Sequence, residues 1–545
     1  MISPSLILHS GRIYTADRSN PWPGAAAISG HHIVAVGDNK NILSLAGSET
    51  KLIDLRGRLA LPGLCDAHIH LHEWSLSRQQ LDLAGIDCKG DMLDAISEWV
   101  AEHLPETWII GRGWNESFWS DPDIPTRTEL DHATGRDRSC IFWRSDMHSA
   151  LVNSAALEAA SINKDTPNPE GGIIGRSSDG VPDGRLYELA INLVTPFIPE
   201  PNPLRVEEAY LEGMSFLHSL GVTALHSQRM KDQHEGPGSF QILQKLNEKK
   251  ALKLRINHNI AAHDLKHVGA LGLRSGFGDD YLRLGHVKLF TDGSLGSKTA
   301  WMLEPLEGIA AGAAQSHGIN VTPMPEMAES IEEANRLGFP VSIHAIGDRA
   351  NRELLDVFEE LAQISPAPNM PNRIEHVQII DPADIPRLAK LSITASVQPI
   401  HALDDMDIAD SLLGQRSHRA YNFRSLIDSG ALVAFGSDAP VANPNPFLGF
   451  HAAICRQRPN NMSAPPWHSE ELLTLEQTIR AYTIDAALAG GWSEVIGSIT
   501  PGKRADIIVL DRDLFSVDLE SEPKAIAETR VLLTLFDGQI VYDGR

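Results

Sequence analysis

Two histidines are spaced so that both could bind one metal ion. His68 and His70 lie in the apolar stretch LCDAHIH. Residues two apart on a β-strand point to the same face, so both imidazoles would face one centre. Neutral imidazole is a standard zinc ligand. His72 continues the spacing, but we expect it to lie past the end of the strand, in a loop.

Three further imidazole or carboxylate side chains follow apolar segments in the same way. They are His344 in VSIHAIGD, His376 in RIEHVQII and Asp438 in ALVAFGSD. A single histidine in an apolar strand is more often a core residue, but two on successive strands beside an H-x-H pair favour a metal site. A buried carboxylate is costly unless it is paired or bound to metal. Asp438 could also accept a proton from a bound water.

Lys288 is the unusual member of this set, because a lysine inside an apolar strand is disfavoured. Its ammonium group could pair with Asp292, which lies on the same face of the strand. Alternatively, its amine could react with carbon dioxide to give an anionic carbamate, which could bridge two metal ions. Two ions about 3.5–4 Å apart would lower the pKa of a water between them and polarise a substrate carbonyl.

These residues lie in segments that predict an α/β fold with a parallel barrel. Short apolar runs alternate with helical stretches, which is typical of βα units. The eight predicted strands span residues 64–70, 222–228, 252–259, 286–292, 341–348, 373–380, 393–401 and 431–438. Eight strands with crossover helices form a closed (β/α)8 barrel of the TIM type. Active sites of this fold lie at the C-terminal strand ends, where the polar residues would converge.

Both ends of the chain differ from this middle part. Residues 1–60 and 496–545 contain short apolar strands and glycine-rich turns, and we expect them to form one small composite β-sandwich. The barrel would occupy residues 61–495. About 150 residues separate its first two strands, far more than a usual βα connection. We therefore expect an insertion of about 75–215 over the barrel mouth, the alternative being a surface excursion without a role at the site.

Composition excludes several classes of function. The 545 residues include 47 Lys and Arg against 71 Asp and Glu, a net charge of −24 that argues against nucleic-acid binding. A hydrophobic fraction of 42% suits a globular enzyme. Four cysteines without a C-x-x-C pair indicate a reducing compartment. We find no signal-peptide pattern or membrane-length apolar segment, so we expect a soluble cytoplasmic protein without membrane contact.

Several segments, taken together, resemble the amidohydrolase superfamily. They are LPGLCDAHIH, VSIHAIGD, RIEHVQ, AFGSDAP and GSITPGKRADIIVLD. Three others, VKLFTDGSLGS, RSDMHSALVNSAAL and IHAIGDRA, are similar to the branch that includes N-substituted formamide deformylase, amidohydrolase family 3. The resemblance covers essentially the whole chain. It implies a (β/α)8 barrel with a composite β-sandwich and two divalent metal ions, with zinc as the expected metal.

The resemblance also implies roles for individual residues. The lysine of VKLFTDG, here Lys288, is the implied bridging carbamate. Gly347 stands where related mononuclear deaminases often carry a glutamate, which weighs against deamination. The remaining implied metal ligands are His68, His70, His344, His376 and Asp438.

The insertion matches the same branch and contains candidate substrate contacts. Arg144, Asp146 and His148 could meet the substrate or the rim of the metal site, and His148 could stabilise an oxyanion. The alternative is that Asp146 and His148 only order the insertion.

Four more residues are candidates for the wall of a substrate pocket. Trp114 and Trp119 could form an apolar wall, although aromatic residues are more often part of a core. Gln398 and His401 lie at the end of the seventh predicted strand and are candidate substrate contacts.

The expected activity is hydrolysis of a carbon–nitrogen bond other than a peptide bond, in a small amide or formamide, by a metal-activated water. Asp438 would take the proton of this water and return it to the leaving amine. The first alternative is hydrolysis of a cyclic amide or ester, or deamination. The second is a binding protein on the same fold that has lost catalysis. Such proteins usually lack some metal ligands, whereas the set in this sequence is complete. Base rates favour a homodimer.

Overall fold

The computed structural model describes residues 3–103, 108–120, 123–229, 235, 238–309, 316–363 and 368–545. Residues 104–107 and 121–122 belong to the predicted insertion and lie outside the described residues. The strands are, in chain order, β1 (Leu6–His9), β2 (Arg12–Ile13), β3 (Ala25–Ser29), β4 (His32–Gly37), β5 (Lys51–Asp54), β6 (Leu59–Pro62), β7 (Leu64–Ile69), β8 (Leu81–Asp82), β9 (Trp108–Trp114), β10 (Ser139–Arg144), β11 (Ser149–Val152), β12 (Gly172–Arg176), β13 (Pro182–Glu188), β14 (Val222–Ser227), β15 (Arg255–Ala261), β16 (Leu282–Phe290), β17 (Val341–Ala345), β18 (Arg373–His376), β19 (Thr394–Val397), β20 (Val433–Phe435), β21 (Ile507–Leu510), β22 (Val531–Phe536) and β23 (Gln539–Asp543).

Helices connect these strands throughout the chain. The α-helices are, in chain order, α1 (Asn39–Leu43), α2 (Leu71–Ser77), α3 (Lys89–Glu102), α4 (Arg127–Thr134), α5 (Ser154–Ala159), α6 (Pro203–Ser219), α7 (Gly238–Glu248), α8 (Leu265–Ala270), α9 (Met324–Arg336), α10 (Asp348–Leu361), α11 (Ile385–Lys390), α12 (His401–Leu413), α13 (Phe423–Asp428), α14 (Pro446–Cys455), α15 (Leu475–Ala481), α16 (Ile484–Ala489) and α17 (Lys524–Ala527). Short 3₁₀ turns lie at Glu116–Phe118, Ile191–Leu193, Thr195–Phe197, Ala262–Asp264, Gly414–Arg419 and Ser469–Glu471. Within the described ranges, none of the helices combines the length and the apolar character that a membrane crossing requires.

Eight parallel strands form the barrel. Their hydrogen-bonded order is β7-β14-β15-β16-β17-β18-β19-β20, so each strand lies beside the next barrel strand of the chain. The two outer strands meet through backbone hydrogen bonds from Asp438 N to His68 O, at 2.6 Å, and from His70 N to Ala439 O, at 2.9 Å. The α/β class and the TIM-type barrel are therefore confirmed, and each of the eight predicted strands overlaps an observed one.

His72 does not lie in a loop, so that expectation was wrong. Helix α2 begins at Leu71, directly after β7, and His72 is buried inside it. The Nδ1 atom of His72 lies 2.9 Å from the hydroxyl of Tyr210 on α6. The H-x-H-x-H spacing therefore crosses from a strand into a helix, and His72 contacts a neighbouring helix.

Two small sheets are built from both ends of the chain. One has the order β4-β3-β1-β5, and the other, β2-β6-β21-β22-β23, joins N-terminal to C-terminal strands. Apolar side chains of both sheets share one core, which includes Leu8, Ile28, Ile53, Ile507 and Leu535. The composite sandwich is confirmed as part of the fold, while its limits at 1–60 and 496–545 stay a prediction.

The long segment between β7 and β14 contains a sheet of its own. Its six strands have the order β12-β13-β11-β10-β9-β8. Alternate residues of these strands pack on each face of the sheet, with Ile141 and Trp143 in one core and Cys140 and Phe142 in another. We call this sheet the insertion sheet. The insertion limits of about 75–215 stay a prediction.

A buried ion-pair network joins the barrel to the C-terminal sheet. Arg255, the first residue of β15, places Nε 2.7 Å from Oδ2 of Asp506 and Nη2 3.2 Å from Oδ1 of Asp537. Asp506 directly precedes β21, and Asp537 lies in the turn between β22 and β23. The side chain of Arg255 has no exposed surface, so its charge depends on these carboxylates.

Arg255→Met leaves Asp506 buried without its main counter-charge. We expect the free energy of unfolding to fall by about 3–5 kcal/mol, measured by urea denaturation. Arg12→Met is the matched control, because the Arg12 side chain in its pair with Asp513 is 41% exposed. Its cost should stay below about 1 kcal/mol. Equal losses in the two variants would contradict a special role for the buried network.

Candidate functional site

The predicted ligands meet at the C-terminal mouth of the barrel. His68 lies near the end of β7, His344 in β17 and His376 at the end of β18, and Asp438 follows β20. All four side chains are buried. His376 and Asp438 adopt left-handed backbone conformations, with φ of 76° and 59°. Such strain in non-glycine residues persists only where the surrounding structure holds it, and it is frequent at functional sites.

His68, His376 and Asp438 form a compact group. One potential ligand atom from each lies within 4.8 Å of the other two. The Nε2 atoms of His68 and His70 each lie 3.2 Å from Oδ1 of Asp438. Within the described residues, Nε2 of His68 and Oδ1 of Asp438 make no hydrogen bond, although both are buried. Two imidazole nitrogens and a carboxylate oxygen around one point are a donor set that suits a divalent ion such as zinc.

Acceptor groups fix which nitrogen of each histidine carries its proton. Oε2 of Glu375 lies 2.6 Å from Nδ1 of His68, and Oε1 of Gln398 lies 2.7 Å from Nδ1 of His376. Nε2 of His344 lies 3.0 Å from the carbonyl of Gly293. Each acceptor requires the facing nitrogen to donate, so the second nitrogen keeps its lone pair for a ligand.

Gln398 is therefore placed differently from the prediction. It was expected to contact substrate, but its side chain is buried against His376 and orients that ring. The strand β19 ends one residue earlier, at Val397, and points Gln398 toward the neighbouring strand.

Burial and neighbouring charges set the protonation of the group. Burial lowers the pKa of His344 and His376 well below the usual histidine value, and Lys288 lowers both further. Burial opposes the ionisation of Asp438, but His68 and the other histidines outweigh it and hold its pKa well below its usual range. Neutral imidazoles beside a carboxylate anion are the protonation states that metal binding requires.

Lys288 lies inside the barrel beside these histidines. It is buried in β16, and its Nζ atom lies 4.9 Å from the ring centre of Phe290. Its positive charge contributes to lowering the pKa of His70, His344 and His376. The carboxylate of Asp292, the alternative partner, accepts backbone N–H bonds.

Three backbone N–H groups donate to the carboxylate of Asp292. They belong to Ile346, at 3.0 Å, and to Gly347 and Trp301, at 2.8 Å each. Asp292 therefore fixes the backbone around the end of β17.

His148 reaches the same mouth from the insertion. Its ring centre lies 4.9 Å from that of His344. Its Nδ1 atom lies 2.9 Å from Oε2 of Glu188, a fully buried residue at the end of β13. Thr299 donates to the other oxygen of Glu188 at 2.5 Å. Sequence reasoning missed Glu188, because it lies forty residues after His148 and only the pairing of β11 with β13 brings the two together.

Arg144 and Asp146 order the insertion. The guanidinium of Arg144 donates to Glu116 and Asp146 at 2.8 Å each, and to Asn115 and Ser117. Its hydrogen-bonding capacity is thus directed to the protein.

Asp146 joins the insertion to the barrel. It accepts hydrogen bonds from the hydroxyls of Ser294 and Ser297, both at 2.7 Å, in the loop after β16. The backbone N–H of His148 donates to its other oxygen at 3.1 Å. The alternative interpretation, in which Asp146 orders this segment, is the one that fits these contacts.

Trp114 and Trp119 lie in a core away from the cavity. Both are buried among apolar residues such as Leu83 and Phe142. The indole N–H of Trp114 donates to the carbonyl of Phe142 at 2.9 Å. The structure therefore does not place these two residues among those that line the cavity, because both rings pack within this apolar core.

A cavity of about 1020 Å³ opens above the group of His68, His376 and Asp438. Barrel residues His344, His376 and Asp438 line its floor, while Arg144 and His148 line it from the insertion. His401, at the start of α12, lines it as well and places Nε2 3.9 Å from Oδ2 of Asp438. The cavity is large enough for a small organic molecule next to these buried side chains.

Comparison with known proteins agrees with this architecture. Residues 51–542 match the model of the amidohydrolase family. The chain is 32% identical to Protein LONG AFTER FAR-RED 3 of Arabidopsis thaliana, over 99% of this chain and 92% of that protein. It is 27% identical to N-substituted formamide deformylase of Arthrobacter pascens, over 99% and 98%.

A solved structure shows the same fold along almost the whole chain. It is an uncharacterized metal-dependent hydrolase from Pyrococcus horikoshii OT3, with a TM-score of 0.74 at 26% identity. The match covers 94% of this chain and 98% of that one. The resemblance found in the sequence motifs is confirmed, and the chain belongs to the amidohydrolase family.

Proposed function

We propose that this protein hydrolyses a carbon–nitrogen bond of a small amide or formamide with a metal-activated water. The observation that carries the proposal is the buried group of His68, His376 and Asp438, with lone pairs that face one another below a cavity. Similarity to N-substituted formamide deformylase along the whole chain supports the amide class.

The chain's own donors fit two divalent ions, with zinc as the expected metal. His68, His70, His344, His376 and Asp438 would hold the ions, together with a carbamate on Lys288. A protonated Lys288 would repel cations held by these histidines, whereas a carbamate is an anion and removes that repulsion. Bound in this way, the ions would supply a water of lowered pKa and a polarised carbonyl.

Protein groups would move the proton and stabilise the developing charge. Asp438 is placed to accept the proton of the attacking water and to return it to the leaving nitrogen. His148 faces the cavity and, as an imidazolium that donates from Nδ1 to Glu188, would donate from Nε2 to the carbonyl oxygen as that oxygen becomes negative.

Two alternatives stay within the same fold. A cyclic amide or ester would meet the same groups, and a deaminase would release ammonia from an amino-heterocycle. Gly347 lies where a deaminase often carries a glutamate, and it accommodates Trp301, whose carbonyl would lie 2.0 Å from an added Cβ. A panel of amides, lactones and amino-heterocycles separates the three activities.

Asp438→Asn removes the carboxylate that would shuttle the proton. We expect kcat to fall by a factor of about 10³ or more, with the circular dichroism spectrum and the oligomeric state unchanged. Turnover is measured on the best substrate of the panel. Retained activity would exclude Asp438 as the proton acceptor.

Glu375→Gln weakens the hold on His68. We expect the affinity for zinc to fall by about tenfold to hundredfold, measured by competition with a chelator, from a native content of about two ions per chain. Ser342→Ala is the matched control, because Ser342 donates to Oε1 of Glu375, at 2.6 Å, and leaves the His68 contact intact. If Glu375→Gln retains as much zinc as the native protein in the presence of the chelator, the assignment of His68 as a ligand is contradicted.

Glu188→Gln removes the anion that holds His148. We expect kcat to fall by about tenfold to hundredfold while KM changes by less than about twofold, since the oxyanion forms only during the reaction. Glu116→Gln is the control in the same insertion, because Glu116 binds Arg144 and does not contact His148. If both variants raise KM equally, the pair of His148 and Glu188 only orders the insertion.

A further inference from the structure

One wall of the cavity carries polar side chains that the proposed mechanism does not use. Helix α12 begins at His401 and places Asp404 one turn further along the same face. Gln378, two residues after β18, donates from Nε2 to Nδ1 of His401 at 3.3 Å. All three residues line the cavity. We call Gln378, His401 and Asp404 the α12 corner.

Two buried polar atoms of the α12 corner lack partners among the described residues. Gln378 is 4% exposed and its Oε1 accepts no hydrogen bond, and Nε2 of the 6% exposed His401 makes none either. Nε2 of His401 lies 3.9 Å from Oδ2 of Asp438, so the corner adjoins the reacting centre. A buried amide oxygen is costly unless a donor reaches it, which indicates that a ligand donates there.

Asp404 is a carboxylate of this wall that no cation of the described residues contacts directly. The described part of the chain gives it no ion pair and no hydrogen bond. By contrast, Asp405 accepts a bond from the hydroxyl of Tyr421 at 2.5 Å, and Asp407 pairs with Arg458 at 2.7 Å. Asp404 lines the cavity and is exposed there, so a ligand that enters the cavity can reach its carboxylate. A cationic ligand would pair with it directly.

The two arginines of the cavity are paired within the insertion. Arg144 is bonded to Glu116 and Asp146, and Arg185 to Asp183. Lys298, in the loop after β16, also lines the cavity, and among the described residues no ion pair joins it to Asp404. Asp404 can therefore meet a positive charge from outside the protein.

We propose that the α12 corner binds a protonated amine of the substrate. This inference rests on the proposed amide hydrolysis and narrows its substrates to acylated amines that carry a second, cationic nitrogen. An ammonium group offers three N–H donors and a positive charge, which match Oε1 of Gln378 and the carboxylate of Asp404. Asp404 lies one turn beyond His401, whose Nε2 is 3.9 Å from Asp438, so a short carbon chain would separate the ammonium from the scissile bond.

Three matched substrates test the proposal on the metal-loaded full-length enzyme. They are the mono-acyl derivative of propanediamine, the acyl derivative of butylamine and that of aminobutyrate, which end in an ammonium, a methyl and a carboxylate group. The acyl group is formyl or acetyl, whichever the enzyme cleaves faster. We expect kcat/KM of the cation to exceed that of the neutral compound by about tenfold or more, with the anion slowest.

Asp404→Asn should bring the ratio of cationic to neutral kcat/KM to about one. Asp87→Asn is the matched control, because Asp87 also lines the cavity but belongs to the insertion side, and it should keep the ratio. If the native enzyme already has a ratio of about one, it has no selectivity for the cation and the proposal is overturned. If Asp404→Asn and Asp87→Asn lower the ratio equally, the general charge of the cavity explains the preference, which also overturns the proposal. The comparison within each variant is unaffected by partial loss of folding.

Absence of turnover with all three compounds would contradict the amide hydrolase proposal and still leave the α12 corner testable. Calorimetry then compares binding of butylamine, which is a cation at neutral pH, with that of butanol, which is neutral, before and after Asp404→Asn. Selective binding of the amine that Asp404→Asn abolishes would support the corner. Equal binding of the two compounds would overturn it.

Discussion

Desolvated lone pairs at the mouth of the barrel are the constraint on which the other features of the site depend. His68, His376 and Asp438 face one another in a buried space, where such groups are costly unless a cation or donors meet them. Each imidazole must then be neutral, with its proton on the far side of the ring. Glu375, Gln398 and the carbonyl of Gly293 satisfy this requirement, and their placement follows from the strand ends that carry them.

A second layer of buried charge supports the first. Glu375 accepts from His68 and from Arg373, and Arg373 also donates to the carbonyl of Ala67 at 2.6 Å. Its other partners include the hydroxyl of Ser396 and the ring of His226. One guanidinium thus ties strands β7, β14, β18 and β19 together beneath the site.

The insertion completes the site in a way that the barrel alone does not. Asp146 binds the hydroxyls of the loop after β16, and Glu188 binds Thr299 of the same loop. These contacts fix His148 beside His344 and close the cavity against α12. The cavity therefore has one wall built around buried histidines and Asp438 and another built from acidic and amide groups. Reaction type and substrate preference would thus be set by different elements of the chain.

The sequence by itself determined the barrel, the composite sandwich and the residues that meet at the barrel mouth. Strand periodicity and polar residues at strand ends are local signals, and they sufficed to identify His68, His344, His376 and Asp438, whose metal-binding roles stay predictions. Only the tertiary structure decided which partners these residues have, because contacts such as that of His148 with Glu188 depend on strand pairing across the insertion. For the same reason, the sequence could not show that Gln398 orients His376 or that Trp114 faces a core. The sheet that carries each side chain turns it toward one face or the other, and this choice is made only when the sheets pack.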